Sequence, residues 1–352
     1  MSAWDAYPPD YRAAEVQQIQ NAARAGECVM VVGLSGAGKS NLMGFLYHRA
    51  GTGSPASLLI DGNRAQPRTR DGLFALILQA LGAPSTGGDP LPALEQAVAA
   101  RLGQFPGGLC LLLDRYDALS PAECALASGP LRALRDAFKY QLTYVVAVRR
   151  PLASTDELAE LFYANTLWLG PLSADDARWS AAQYAARRGL VWDEAILGEL
   201  ARLSWGYPAL LRACAEAHAA GAPLELAVLR EHPAVQRRVQ EFWADSPAPD
   251  DLRRSGLKDH PLLGASQPVV SAESAELTAS EHRLLACFQS QPGVVLAKDD
   301  LIRAVWPEDR VVDGLRDDSL AQLIRRLRQK IGSQRIQTIP GRGYQYLPGE
   351  NK

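Results

Sequence analysis

GLSGAGKS, residues 33–40, decides the fold. It follows an apolar run at 28–32 (CVMVV) and leads into a segment of helical character, NLMGFLYHRA. The spacing is GxxxxGK[ST], and each residue type has a chemical reason. Gly33, Gly36 and Gly38 admit backbone conformations that turn successive N–H groups inward around a phosphate. Ser35 and Ala37 complete the loop, and Asn41 lies in the first helical turn, where free N–H groups and the helix dipole favour an anion. Lys39 supplies a point charge between β- and γ-phosphates, and the Ser40 hydroxyl reaches Mg²⁺. The loop therefore implies ATP or ADP together with Mg²⁺.

Working outward, residues 1–171 alternate short apolar runs with helix-length segments. The runs at 28–32, 57–61, 109–114, 143–148 and 166–169 are apolar nearly throughout, which is how strands buried on both faces read. They predict a parallel sheet with helices on either side. One of them, LCLLLD, ends in Asp114, placed to hold Mg²⁺ with Ser40, and Asp117 follows closely. Asp117 reads either as a catalytic carboxylate or as a helix cap. Between them stands Arg115, which reads as a solvated side chain. The next run, TYVVAVRR, ends in Arg149 and Arg150. Its tip faces a bound γ-phosphate in such a sheet, so Arg149 is a candidate sensor of that phosphate.

Residues 172–244 change character: apolar residues recur at 3–4 spacing, with Ser173 and Asp193 as N-caps. This block is expected to be a helical lid. Residues 245–276 have linker composition, rich in Pro, Ser and Ala, although LRRSGL (252–257) inside it could be a short helix. Residues 277–352 form a further compact unit.

GLSGAGKS, LLLD and the strand after it resemble the P-loop ATPases with an extra central strand, the AAA+ group. LGPLSADDA (169–177) and SWGYPALLRACAEA (204–217) resemble the STAND signal-transduction ATPases within it. The resemblance implies that Pro208 lies near the adenine and reports nucleotide state to the lid. It also implies that Tyr7, Pro8 and Arg12, in the segment before the phosphate loop, border the base. Members of this group commonly carry a water-activating Glu where this chain has Arg115, so the resemblance implies a slow ATPase, a switch more than a motor.

The C-terminal segment predicts helices at 279–290, 298–305 and 318–331, then a hairpin in QTIPGRGYQYL with Gly-Arg-Gly at its tip. LTASEHRLL, AVW, DDSLAQLIRRLRQKI and TIPGRGYQYL resemble the OmpR/PhoB-type winged helix-turn-helix. The resemblance places the third helix in the major groove of double-stranded DNA, with Gln322, Arg325 and Arg326 at bases or phosphates. Arg328 belongs to the same basic run, Lys330 is at the DNA backbone, and Arg342 sits at the wing tip. Residues 278–352 hold 12 basic against 9 acidic side chains. Five phosphate contacts give an expected salt slope of about −4 to −5.

Composition narrows the alternatives. Of 352 residues, 47% are hydrophobic and 22% charged, which excludes global disorder. Lys and Arg number 37 against 39 Asp and Glu, so any nucleic-acid surface must be local. No apolar run approaches the ~20 residues of a membrane span, and the scattered cysteines suit a reducing compartment, so a cytoplasmic location is expected. The fold class is therefore α/β: a P-loop (AAA+-like) parallel sheet with helices on both faces, a helical lid and a C-terminal winged helix. The expected function is an ATP/ADP-switched DNA-binding regulator, with a homo-oligomer left open. Two other readings stand beside it. One is a DNA-remodelling or loading ATPase of origin-recognition or transposition type, needing an arginine finger (Arg132, Arg135 or Arg150). The other is a nucleotide-bound scaffold whose winged helix docks a protein.

Overall fold

The computed structural model describes residues 3–49, 55–84, 89–245, 247–264, 279–291, 293–305 and most of 320–347; residues 306–319, 321, 322, 326, 329, 330, 332–334, 340 and 341 of the C-terminal segment are outside the description. The chain divides into two units, Met1–Gly264 and Ala265–Lys352. In the first, five strands form a parallel sheet: β1 (Val29–Val32), β2 (Ala56–Asp61), β3 (Leu109–Asp114), β4 (Leu142–Val148) and β5 (Thr166–Trp168), in the order β2-β3-β4-β1-β5. All pairings are parallel, as the apolar runs predicted, and β1 and β4 run side by side, flanked by β3 and β5.

Alternation across the pleat explains why these runs are apolar throughout. Val29 and Val31 of β1, with Cys110 and Leu112 of β3, join one core. Helices α1 (Ala13–Arg24) and α2 (Lys39–His48) pack into it. Met30 and Val32, with Leu109, Leu111 and Leu113, join the opposite core with α3 (Arg70–Leu81), α4 (Leu91–Gln104) and α5 (Pro121–Ala137). Both faces are dry, so each buried Val or Leu contributes about 1.5–3 kcal/mol. The strand tips are left as the polar edge.

The helical block follows: α6 (Ala174–Arg187), α7 (Glu194–Leu203), α8 (Pro208–Ala219), α9 (Leu226–Glu231) and α10 (Pro233–Ala244). Ser173 and Asp193 accept from the N–H groups of Asp176 (3.1 Å) and Ile196 (2.9 Å), as the sequence expects of N-caps. These helices share the first core, so lid and sheet face belong to one hydrophobic cluster.

Within the stretch expected as linker, residues 247–264 are packed structure and include a short helix overlapping LRRSGL. α11 (Pro249–Arg254) begins with a proline at its first turn, a position that needs no N–H. Leu257, Leu262 and Leu263 are buried in the first core, and the Trp243 indole N–H donates to the Leu263 carbonyl (3.4 Å). Proline-rich composition concealed a helix start, and four spaced leucines (252, 257, 262, 263) supplied the burial. The remainder of that segment, 265–276, lies outside the described residues.

In the second unit, α12 (Ala279–Ser290), β6 (Val295–Leu296), α13 (Lys298–Val305), β7 (Ile336–Ile339) and β8 (Gly343–Tyr346) are described. The strands form an antiparallel sheet, β6-β8-β7. Between α13 and β7, Leu320, Leu323, Ile324, Leu327 and Ile331 are helical and buried at 3–4 spacing, within the span predicted for the third helix. The β7–β8 hairpin is where the sequence put it; the two-residue β6 was not anticipated. Gly343 (φ 135) is required there, because a Cβ would stand 2.0 Å from the Leu296 carbonyl oxygen.

Candidate nucleotide site and DNA-facing surface

The phosphate loop begins where the Gly33 N–H donates to the Val148 carbonyl (3.1 Å), anchoring it to the β4 tip. Gly36 (φ 81) and Gly38 (φ 92) take left-handed conformations. The loop and the strand tips open into a cavity of about 710 Å³. Of the predicted residues, Ser35, Gly36, Gly38, Lys39, Ser40, Asn41, Asp117, Arg149, Pro208 and Tyr7 line it.

Lys39 folds back on its own loop, donating to the carbonyls of Gly33 and Leu34. Burial lowers its pKa, opposed by the nearby carboxylates of Asp117 and Asp245. Asp114 is buried at the end of β3, and desolvation pushes its pKa up, against a hydrogen bond with Ser40 and the charge of Arg115. Its Oδ1 is buried with no hydrogen-bond partner. A hydroxyl and a desolvated carboxylate with an unused oxygen form a donor set that fits a hard divalent cation completed by water. Arg115 is exposed, as expected, and also donates from Nε to Ser40 Oγ (3.2 Å) and lies 3.8 Å from Asp114 Oδ2.

Asp117 accepts from both the backbone N–H and the Nε–H of Arg149 (2.9 Å each). Arg149 reaches further, to Asp245 Oδ1 (3.1 Å), and Arg150 donates to the Asp245 carbonyl. Asp245 was not identified from sequence; it falls in the stretch read as linker. The pairing raises the Arg149 pKa despite its burial.

The lid touches the loop directly. The Tyr207 hydroxyl donates to the Ser35 carbonyl (2.7 Å), and the Ala209 N–H donates to the Gly36 carbonyl (3.2 Å). Gly206 (φ 71) makes this approach feasible: its carbonyl accepts from the Leu172 N–H (2.9 Å), and a Cβ there would stand 2.6 Å from the Leu172 carbonyl oxygen. Gly206–Pro208 thus sits against the phosphate loop.

Near the expected base edge, Tyr7 packs against Trp179 (ring centroids 4.4 Å apart), and both line the cavity. Pro8 is half-buried in a turn and its carbonyl accepts from the Tyr11 N–H (3.1 Å). Arg12, expected beside the base, is 2% exposed. Its guanidinium donates to the carbonyls of Ala37 and Gly170 (3.0 Å each) and to Glu15 (2.7 Å), while its backbone N–H donates to Asp176. It braces the phosphate loop against the lid from behind. Trp179, Arg187, Arg212 and Arg68 also line the cavity and were not singled out by sequence; they carry no motif.

Of the arginine-finger candidates, Arg135 is buried and donates to the Gly26 carbonyl (3.0 Å), and Arg132 pairs with Asp136 and Glu160. Both have intrachain work. No helix among the described residues is long and apolar enough to cross a membrane.

In the second unit, Arg325 and Arg342 are exposed. Arg328, expected on the DNA face, is half-buried: Nε donates to the Ile336 carbonyl (2.9 Å) and Nη2 to Thr338 Oγ1 (2.7 Å). Its guanidinium ties the helix to β7. Gln322, Arg326 and Lys330 lie outside the described residues.

Residues 272–346 match the family described as "Transcriptional regulatory protein, C terminal". Among curated proteins, the chain is 42% identical over 79 residues to the transcriptional regulatory protein CseB of Streptomyces avermitilis, covering 21% of this chain and 30% of that protein. It is 30% identical over 119 residues to the uncharacterized transcriptional regulatory protein YcbL of Bacillus subtilis, covering 32% and 50%. The chain thus spans half or less of the length of these relatives. Among solved structures, it is similar to the Walker-type ATPase paby2304 of Pyrococcus abyssi (13% identity, TM-score 0.48, 95% of this chain and 92% of that one). It is also similar to the ORC1 protein of Aeropyrum pernix, solved in complex with DNA (14% identity, TM-score 0.47, 96% and 89%). By its own topology and phosphate loop the first unit is a P-loop-type parallel α/β domain, and the chain joins it to a winged helix of the transcriptional-regulator C-terminal type.

Proposed function

We propose that this chain is an ATP/ADP-switched, cytoplasmic DNA-binding regulator of transcription, in which nucleotide state is passed through the lid to the winged helix. One observation carries the reading: the lid residues Tyr207 and Ala209 are hydrogen-bonded to the phosphate-loop carbonyls of Ser35 and Gly36. A ligand that reorganises this loop acts on the lid with no intervening element.

With a triphosphate bound and the Arg115 guanidinium displaced from them, Ser40 and Asp114 would hold Mg²⁺, which would neutralise phosphate charge. Lys39 would exchange the Gly33 and Leu34 carbonyls for phosphate oxygens, a favourable replacement for a desolvated ammonium. Tyr7, Trp179 and Pro208 provide apolar surface for the base. Hydrolysis would be slow: the residue after Asp114 is a cation, and Asp117 is engaged by Arg149. The DNA surface consists of Gln322, Arg325, Arg326, Lys330 and Arg342. With Arg328 committed to β7, about four phosphate contacts remain, for a salt slope of about −3 to −4.

Fluorescence anisotropy on labelled duplex DNA, with the full chain in apo, ADP and ATP-analogue states across a salt series, tests this. That slope, with affinity differing between ADP and the analogue, is the expected result. Salt-insensitive or nucleotide-insensitive DNA affinity would overturn it. Length-dependent, sequence-blind binding with strong DNA stimulation of hydrolysis would favour a remodelling ATPase instead.

A further inference from the structure

β3 ends at Asp114, and Arg115 then takes a left-handed backbone conformation (φ 52, ψ 45) that side chains with a Cβ rarely adopt. Two contacts hold it. The Ala118 N–H donates to the Arg115 carbonyl (2.9 Å). On the other side lies Gly62, where a Cβ would stand 2.4 Å from the Arg115 carbonyl oxygen. The backbone is therefore clasped between two turns, and the direction in which the Arg115 side chain departs is set by the fold.

That direction leads to the metal-type donor set. Arg115 Nε lies 3.2 Å from Ser40 Oγ and 3.8 Å from Asp114 Oδ2, the two groups a divalent cation would use. β2 brings a further carboxylate, Asp61, into register opposite Asp114. A strand-tip cluster with Asp114 and Asp61 calls for a cation, and the chain supplies one. A guanidinium and a divalent ion repel each other and compete for the same oxygens, so they alternate.

We propose that Arg115 is a resident cation in the metal position, so that this site takes a nucleoside diphosphate without Mg²⁺. Arg115 is then a specificity-determining residue: it exchanges metal dependence for a fixed positive charge. The inference rests on the nucleotide reading of the cavity given above.

The test uses the full chain and mant-ADP, titrated by fluorescence in Mg²⁺ and in excess EDTA. For the unmodified protein the two affinities should agree within about threefold. Arg115→Asn, a residue that tolerates the left-handed conformation, should lose about tenfold or more in EDTA relative to Mg²⁺. A second measurement needs no substitution: Mn²⁺ titrated into the protein–ADP complex should give no stoichiometric bound-Mn²⁺ signal by electron paramagnetic resonance. A tenfold loss in EDTA for the unmodified protein, or stoichiometric Mn²⁺, overturns the proposal while leaving nucleotide binding intact. Arg115→Asn binding equally with and without metal also overturns it. Absence of mant-ADP binding in both conditions overturns the nucleotide reading itself, and this inference with it.

Discussion

A methyl group at Gly36 separates backbone strain from lid contact. An ideal Cβ there stands 2.3 Å from Ala209 Cβ, 3.6 Å from Ala209 Cα and 3.8 Å from Tyr207 Cε1. Gly36→Ala therefore carries two costs. The first is the positive φ of 81, worth about 1–2 kcal/mol for a residue with a Cβ. The second is overpacking against a short, inflexible side chain on α8, worth about 1–3 kcal/mol. Ala209→Gly deletes the opposing methyl. The nearest Ala209 atom then becomes the Cα at 3.6 Å, an ordinary contact, and only the φ strain remains. Ala209→Gly alone should cost up to about 1 kcal/mol, because it lies in the first turn of a helix. The double-mutant cycle, measured by urea unfolding of the full chain, should give a favourable coupling of about 1–3 kcal/mol. A coupling below about 0.5 kcal/mol, within the error of additivity, would show that the lid does not bear on the phosphate loop, and the switching argument would lose its physical link.

Three further substitutions probe the rest of the chain. Arg328→Ala removes donors to the Ile336 carbonyl and Thr338. It should cost about 1–3 kcal/mol in unfolding of the winged helix and leave the salt slope of DNA binding unchanged, whereas Arg342→Ala should leave stability alone and reduce the slope by about 1. The reverse pattern would return Arg328 to the DNA face. His260 is buried, its Nδ1 accepts from the Leu262 N–H (3.1 Å), and desolvation lowers its pKa from 6.5. Below pH 6.5 the unfolded chain takes up a proton that the folded chain refuses, so its contribution to stability falls with pH until the folded value is passed. Urea midpoints across that range should decline less steeply in His260→Asn, which keeps an acceptor and does not titrate; equal slopes would show that His260 is not the group responsible.

What was legible in the sequence follows from the range of the interactions involved. β1, β3 and β4 are readable because burial on both faces leaves no polar alternation, whereas the half-buried edge strands β2 and β5 are readable from their short apolar runs alone. The phosphate loop is readable because its glycines, lysine and serine act within eight consecutive positions. Helices α12 and α13 and the β7–β8 hairpin carry local periodicity and turn residues. By contrast, Arg12 finds Asp176 across 164 positions, and Arg149 finds Asp245 across 96. Nothing local marks either pair. The segment 249–263 was legible only as a linker with a short helix at LRRSGL, for a related reason: its leucines are too sparse to form a periodic stripe, yet each drops into a core already built by α8 and α10. β6, at two residues, has too little pattern to see, and is a strand only because β8 lies beside it.

The three cations that face the cavity from the loop and strand tips share one property that no motif reveals: each already has a partner in the chain. Lys39 sits on two loop carbonyls, Arg115 on Ser40 and Asp114, and Arg149 on Asp117 and Asp245. Under the proposed function, phosphates compete for these groups rather than meeting open charges. The Arg115 and Arg149 side chains are about half exposed (45% and 50%), so each of their ion pairs is worth at most about 1 kcal/mol. Such pairs are weak enough for a bound phosphate to exchange. Their effect differs with the partner. Releasing Arg115 changes only the loop and strand tips, whereas releasing Arg149 frees Asp245, which caps the end of α10 beside the Arg150 contact. A ligand shifts an equilibrium only through contacts that differ between two states. A diphosphate confined to Lys39 and Ser40 leaves the Arg149–Asp245 tie untouched. A third phosphate reaching the β4 tip is the group able to break it, and for that reason ATP and ADP would set the lid differently.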